Sequence, residues 1–130
     1  MTRVLVDTSV WRHFFIGRGN AQDRHALEAL LDEDGELLTH DAIIGELVLG
    51  GLGPRQEMLL ERLPKAPPVT DAEVIAFIKH RKLMRRGIGW VDVHLLASAL
   101  VAPATFWSAD SKLSDVATEL AIAFSSKSRR

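Results

Sequence analysis

Short apolar runs alternate along this chain with stretches whose apolar residues recur every three or four positions, and the two periods place the elements. Arg3 to Val6 is a compact apolar run that stops at Asp7-Thr8-Ser9, after which Val10, Trp11, Phe14 and Phe15 follow at helical spacing. The pattern predicts strand, turn and helix. Gly17 to Asn20 interrupts it, and Ala21 to Leu31 resumes it with Ala26, Leu27, Leu30 and Leu31 as the stripe of a second helix. A turn at Asp34-Gly35 leads into a short strand over Glu36 to Thr39, and Thr39 is placed to cap a helix from His40 to about Gly50. Pro54 suits the first turn of the next helix, whose Met58, Leu59 and Leu63 are expected to face inward. Pro64, Pro67 and Pro68 then impose an extended link, with Val69 as the remnant of a strand. Thr70 and Glu73 form a capping-box signature for a helix carrying Val74, Ile75, Phe77, Ile78, Leu83 and Met84, closed by Gly87 and Gly89. Trp90 to Leu100 is a further helix ended by Pro103, and Ala104 to Ser108 is a strand that stops before Asp110. A last helix from about Lys112 leads to a terminal strand over Ala121 to Phe124.

Strands this short, separated by helices, predict an α/β fold with a central parallel sheet and helices on both faces, because parallel neighbours need crossover connections. A length of 130 residues with 47% hydrophobic content suits one domain over residues 1–124, with a charged, Ser-rich tail over 125–130. No internal repeat or low-complexity linker interrupts it. Lys and Arg total 16 against 17 Asp and Glu, so the net charge of −1 offers no global attraction to nucleic acid, and any such affinity must be local. Cysteine is absent, which excludes disulfides, thiolate zinc sites and Cys nucleophiles and fits a reducing compartment. The N-terminal segment has no signal-peptide pattern, and the most apolar later stretch, Leu95 to Trp107, is broken by Ser98, Pro103 and Thr105 and is too short for a bilayer. The expectation is a cytoplasmic protein.

Four acids disturb this otherwise ordinary pattern. Asp7 and Asp110 each follow an apolar strand, Glu46 shares a helix face with Ile43, Leu49 and Gly50, and Asp92 shares one with Leu95, Leu96 and Ala99. Each has a bland alternative: a helix N-cap for Asp7 and Asp110, a helix-dipole contact for Asp92, a solvated surface acid for Glu46. In parallel sheets, however, ligands bind beyond the carboxyl ends of the strands, where Asp7 and Asp110 would meet. Burying an ionised carboxylate costs several kcal/mol, against about 5–15 kcal/mol for the stability of a whole domain. A cation is therefore expected among them, and the apolar or hydroxylic neighbours favour a hard divalent ion, Mg²⁺ or Mn²⁺. Its affinity should fall in acid as the carboxylates protonate.

Taken together, Val6-Asp7-Thr8-Ser9-Val10-Trp11, the segment Thr39-His40 to Gly45-Glu46-Leu47, the block Gly87-Ile88-Gly89-Trp90-Val91-Asp92-Val93-His94-Leu95-Leu96-Ala97-Ser98-Ala99, and Phe106-Trp107-Ser108-Ala109-Asp110 resemble a PIN-domain ribonuclease of the VapC toxin family. The resemblance covers nearly the whole chain. It implies a three-layer α/β/α fold, metal-dependent endoribonuclease activity leaving 5′-phosphate and 3′-hydroxyl ends, and a VapB-type antitoxin that blocks the site. The family's acidic quartet falls on Asp7, Glu46, Asp92 and Asp110, and its small hydroxyl positions on Thr8 or Ser9 and on Ser108. One departure is that Ser111 precedes a single Lys112 where many relatives carry a basic pair. Asp41, Glu57 and Asp115 are left outside the site.

In the expected mechanism Asp7, Asp92 and Asp110 hold a metal directly or through water, Glu46 binds a second ion or orients the attacking water, and Thr8, Ser9 or Ser108 supports them by hydrogen bonding. For RNA, Lys79 to Arg86 is the densest basic run, with Lys82, Arg85 and Arg86 as contacts, and Arg12, His13 and Arg18 form a second candidate patch. His94 lacks a ligand set and reads as a packing histidine, and Trp11, Trp90 and Trp107 read as core. The expected partners are RNA, the antitoxin and a second copy of the chain, with no membrane. Two competing readings are a non-catalytic Mg²⁺-binding regulatory domain and a phosphatase with Asp7 as nucleophile. The second usually needs an acid two residues on, where Ser9 stands.

Overall fold

The apolar run at the start of the chain forms the central strand of the sheet in the computed structural model, which describes residues 3–32 and 36–126. β1 (Arg3–Val6) lies between β2 (Leu37–Leu38) and β3 (Ala104–Trp107), and both pairings are parallel. Val4, Leu5 and Val6 are all buried, as a strand covered on both faces requires. Single parallel bridges extend the sheet on each side, Thr39 to Lys65 beyond β2 and Phe106 to Ala123 beyond β3. The second replaces the expected terminal strand with one bridged residue, held by Phe106 N–H to the Ile122 carbonyl at 2.6 Å and Phe124 N–H to the Phe106 carbonyl at 3.0 Å.

Among the described residues seven helices surround these strands: α1 (Thr8–Phe15), α2 (Ala21–Asp32), α3 (Asp41–Leu49), α4 (Pro54–Glu61), α5 (Asp71–Arg81), α6 (Trp90–Val101) and α7 (Ser111–Glu119). The chain steps outward from β1 through β2 to Lys65, then returns across the sheet to β3 and Ala123. Right-handed crossovers put α1 to α4 on one face and α5 to α7 on the other, in keeping with the packing of α3 against α1 and α4, and of α5 against α6. The expected three-layer α/β/α arrangement follows. Its direction of travel reverses between β1 and β3, so the crevice beyond their carboxyl ends is the switch point where such folds bind ligands. Among the described residues no helix is long and apolar enough to cross a membrane.

Several local expectations are corrected. Thr39 does not cap α3. The ladder runs one residue past β2, engaging Thr39 through Pro64 and Ala66 at 2.9 and 2.8 Å, and the cap passes to His40, whose Nδ1 accepts from Ala42 N–H at 3.0 Å. Burial holds the His40 imidazole below its ordinary pKa, opposed by Asp41 and assisted by His94, which suits a neutral capping ring. On α4 it is Leu60 that is buried, while Met58 and Leu59 face outward, because this short helix offers the core only one side. Val69 forms no strand. α5 carries the Thr70–Glu73 capping box but ends before the glycines, at Lys82 in the left-handed region (φ 55°), where Leu83 N–H closes on the Ile78 carbonyl at 3.0 Å and the Leu83 side chain turns into the core. Gly87 (φ 78°) serves the loop that follows, and a Cβ there would lie 2.8 Å from the Lys112 side chain. Trp11 and Trp107 are core, but Trp90 is half exposed, edge-on to His94 at 4.8 Å. The expected turn at Asp34-Gly35 and the tail from 127 onward lie outside the described residues.

Candidate active site

Both sheet-borne acids emerge where the parallel ladder runs out. Val6 is in register with Trp107, and Asp7 N–H continues the pairing to the Trp107 carbonyl at 2.8 Å, which brings the residues after β1 and β3 to one rim. Asp7 stands at the N-cap of α1 and Asp110 at that of α7, yet neither side chain makes a capping hydrogen bond. The helix-cap explanation therefore fails for both. Asp7 Oδ2 instead accepts from Ser9 Oγ at 2.7 Å and Ser108 Oγ at 2.9 Å, while Ser9 Oγ accepts from Ala109 N–H at 2.9 Å and Ser108 Oγ from Asp110 N–H at 3.0 Å. These hydroxyls, predicted as supporting residues, tie the start of α1 to the start of α7 and fix Asp7 between them.

The helix-borne acids reach the same place from either face of the sheet. Thr8 Oγ1 donates to Glu46 Oε1 at 2.7 Å, joining α1 to α3. Ile43 on that face is buried as expected, but Leu49, the last residue of α3, projects into solvent beyond the cover of α1. Asp92 sits in the first turn of α6, with Leu95, Leu96 and Ala99 of its face fully buried, and its Oδ2 accepts from Gly89 N–H at 2.8 Å. Pattern reading missed this backbone donor, although a glycine three residues before an acid at a helix start was a usable signal.

Electrostatics shows that the four acids share one field. The Asp92 carboxyl is pushed above the usual carboxylate range, first by burial, against which the Gly89 hydrogen bond acts, and then by the negative charges of Asp7, Glu46 and Asp110. Among the described residues no Lys, Arg or His lies within ion-pair distance of any of the four. Nor are three or more acids or histidines drawn tightly enough to hold a metal ion as they stand. The charges of Asp7, Glu46 and Asp110 all bear on Asp92, so the four form a loose group at this rim, and all-oxygen donors of this charge suit a hard divalent cation rather than a soft one.

The predicted basic contacts are distributed differently. Lys82 and Arg85 are exposed with left-handed backbones. Arg86 is held in a two-pronged ion pair by Glu119 at the end of α7, one contact at 2.8 Å. Arg12 borders a groove of about 340 Å³ with Phe15, Ile16, Leu47, Leu52 and Gln56. His94 behaves as a packing histidine, with Nε2 3.2 Å from Asp71 Oδ1. Asp41 pairs with Lys65, and Asp115 is exposed on α7.

Comparison with known proteins places the chain in a family. A PIN domain family profile matches residues 4–119. Ribonuclease VapC32 of Mycobacterium tuberculosis, in two strains, is 38% identical over 123 residues, covering 92% of this chain and 94% of the relative. The chain belongs to the PIN-domain VapC ribonuclease family. The same PIN fold is seen in the crystal structure of FitAcB from Neisseria gonorrhoeae, which is 20% identical, has a TM-score of 0.64, and spans 95% of this chain and 98% of its own. In this VapC-family chain the residues that follow β1 and β3 lie at one rim, with Glu46 bonded to Thr8 and Asp92 to Gly89 N–H on the helices beside it.

Proposed function

We propose that this chain is the toxin of a VapBC-type module, a Mg²⁺- or Mn²⁺-dependent endoribonuclease folded as one PIN domain over residues 1–124. The observation that carries the reading is the grouping of acids around Asp92: Asp7, Glu46 and Asp110 bear on its half-buried carboxyl with no protein cation in ion-pair reach among the described residues, and hydroxyl donors hold Asp7 and Glu46 in place. Asp7, Asp92 and Asp110 would hold the divalent ion, with Glu46 as a further ligand or as the group that orients water. When bound, such an ion acidifies water and neutralises charge on the phosphoryl oxygens. The residues do the rest. Ser9 and Ser108 keep Asp7 in one rotamer, Thr8 aims Glu46, and Gly89 N–H fixes one oxygen of Asp92. Glu46, with one oxygen bonded to Thr8, is left to accept a proton from water at the other. The expected products carry 5′-phosphate and 3′-hydroxyl ends. A VapB-type antitoxin, a second copy of the chain and a cytoplasmic setting complete the proposal, supported by the kinship with VapC32.

The test is cleavage of single-stranded RNA in Mg²⁺ or Mn²⁺ by the full chain and by Asp7→Asn and Asp92→Asn variants whose circular dichroism matches wild type. Cleavage should require the ion and vanish in both variants. Two folded variants that cut as fast as wild type would end the nuclease reading.

A further inference from the structure

Beside the acid ring, a small pocket opens between α1, the turn at 17–20 and the start of α2. Its floor is apolar, made by Val10, Phe14 and Leu27, and its rim carries Arg18, Arg24 and His13. Ala109 closes the side nearest the ring, and its N–H bonds the same Ser9 hydroxyl that donates to Asp7. The pocket and the acids thus share a wall one residue thick, between Ser108 and Asp110.

Local geometry fixes the rim. Arg18 N–H donates to the His13 carbonyl at 2.9 Å and Gly17 N–H to Phe14 at 3.3 Å, which folds the turn back on α1. Gly17 and Gly19 adopt φ of 71° and 92°, so this turn is built for glycine. Asn20 then caps α2, its Oδ1 accepting from Asp23 N–H at 2.7 Å, and Arg24 follows in the same turn of helix. Neither arginine is in an ion pair among the described residues, whereas Arg86 of the other basic run is committed to Glu119. The one acid of the pocket, Asp23, accepts from Ser126 Oγ at 2.5 Å.

Two arginines and a histidine lining an apolar-floored pocket beside the acids, against the single carboxylate of Asp23, favour an anion that the acids themselves repel. The partly open space of about 20 Å³ admits about one water-sized atom, so a phosphoryl oxygen can enter while the rest of the phosphate rests on the rim, and a base is too large. Resting on the nuclease reading above, we propose that this pocket seats a backbone phosphate of the RNA strand next to the scissile bond, with Arg18 and Arg24 as its ligands. A planar fork is the side chain that grips phosphate in two places, and the contact sets the strand's register on the ring without reading its bases. The site gives a function to Arg24 in the first turns of α2.

The experiment measures binding of a fluorescent single-stranded RNA to the full chain in a chelator, where no cleavage occurs, and cleavage kinetics in Mn²⁺. Arg18→Ala with Arg24→Ala should weaken binding about tenfold, reduce the slope of log affinity against log salt by about 0.7, and raise KM with kcat within about twofold. Arg62→Ala, an exposed cation at the end of α4, should change none of these. In RNAs carrying one uncharged methylphosphonate at each position in turn, a single position beside the cleaved bond should weaken wild type and leave the double variant indifferent. Lysine at both positions should restore the salt slope but only part of the affinity. An equal methylphosphonate penalty in wild type and double variant, or unchanged RNA affinity, overturns the pocket assignment while cleavage by wild type keeps the nuclease reading intact. A wild type that neither binds nor cuts RNA overturns both.

Discussion

Asp41 and Glu61 share the ammonium of Lys65 at 2.7 and 3.0 Å, while the four acids at the carboxyl end of the sheet share only one another. The same chemical group behaves oppositely in the two places. Its hydrogen bond and charge contact with Lys65 hold the Asp41 carboxyl below the usual carboxylate range, and Lys65 is raised in return. Asp92, half-buried among carboxylates, is held above that range. A folded chain balances its own charges where nothing else is to bind, and leaves them unbalanced where an outside cation is expected. The contrast separates acids matched by a protein cation from the acids proposed as ligands, without appeal to position in the sequence.

The largest test of this contrast is activity. Asp7→Asn and Asp92→Asn should each lower RNA cleavage by about a hundredfold or more, since each removes charge stabilisation at the reacting phosphate. Ser108→Ala should cost about tenfold, read as a weaker Mn²⁺ activation curve, because Asp7 keeps the Ser9 donor but loses its second. Next in size is stability. Adding Mn²⁺ at a hundred times its dissociation constant should stabilise wild type by about 2.7 kcal/mol in thermal unfolding, and Asp92→Asn should lose most of that shift.

Asp92→Asn without metal should act in the other direction. A carboxyl raised above its unfolded value of 3.8 makes folding less favourable once pH climbs through the window between that value and the higher folded one. The melting temperature of Asp92→Asn should therefore come closest to that of wild type near pH 4 and rise above it as pH climbs towards 7. A gap that closes towards neutrality would contradict the sign. Asp41 follows the ordinary case, its contribution present above 3.8 and lost as pH falls below. Smallest of all, Lys65→Ala should leave cleavage unchanged and shift melting barely beyond scatter, since an exposed ion pair is screened by water.

Much of this molecule was legible in its pattern of apolar residues. The run at Val4 to Val6 and the stripes of α2 and α6 are long or pure enough that burial follows from periodicity alone. The acids were legible because a carboxylate beside buried leucines has few reasons to be there. What escaped depends on partners distant in sequence. His40 rather than Thr39 caps α3 because Lys65, 26 residues beyond Thr39, recruits Thr39 into the sheet, which no local signal announces. The end of α5 escaped because Lys82, not glycine, takes the left-handed position. Met58 and Leu59 look as apolar as Leu60, and only the packing of α4 on α3 decides which is covered. Arg24 gains its meaning from Ala109, far along the chain.

The single bridges flanking the sheet have a consequence for how other chains can engage it. At one margin Lys65 is hemmed by Pro64, Pro67 and Pro68, which have no N–H to offer, and at the other the chain turns away after Ala123. A newcomer finds no long open border on which to lay an extra strand. Side chains on the helices and at the acidic rim, rather than backbone pairing at these margins, are what the described surface chiefly offers to another chain.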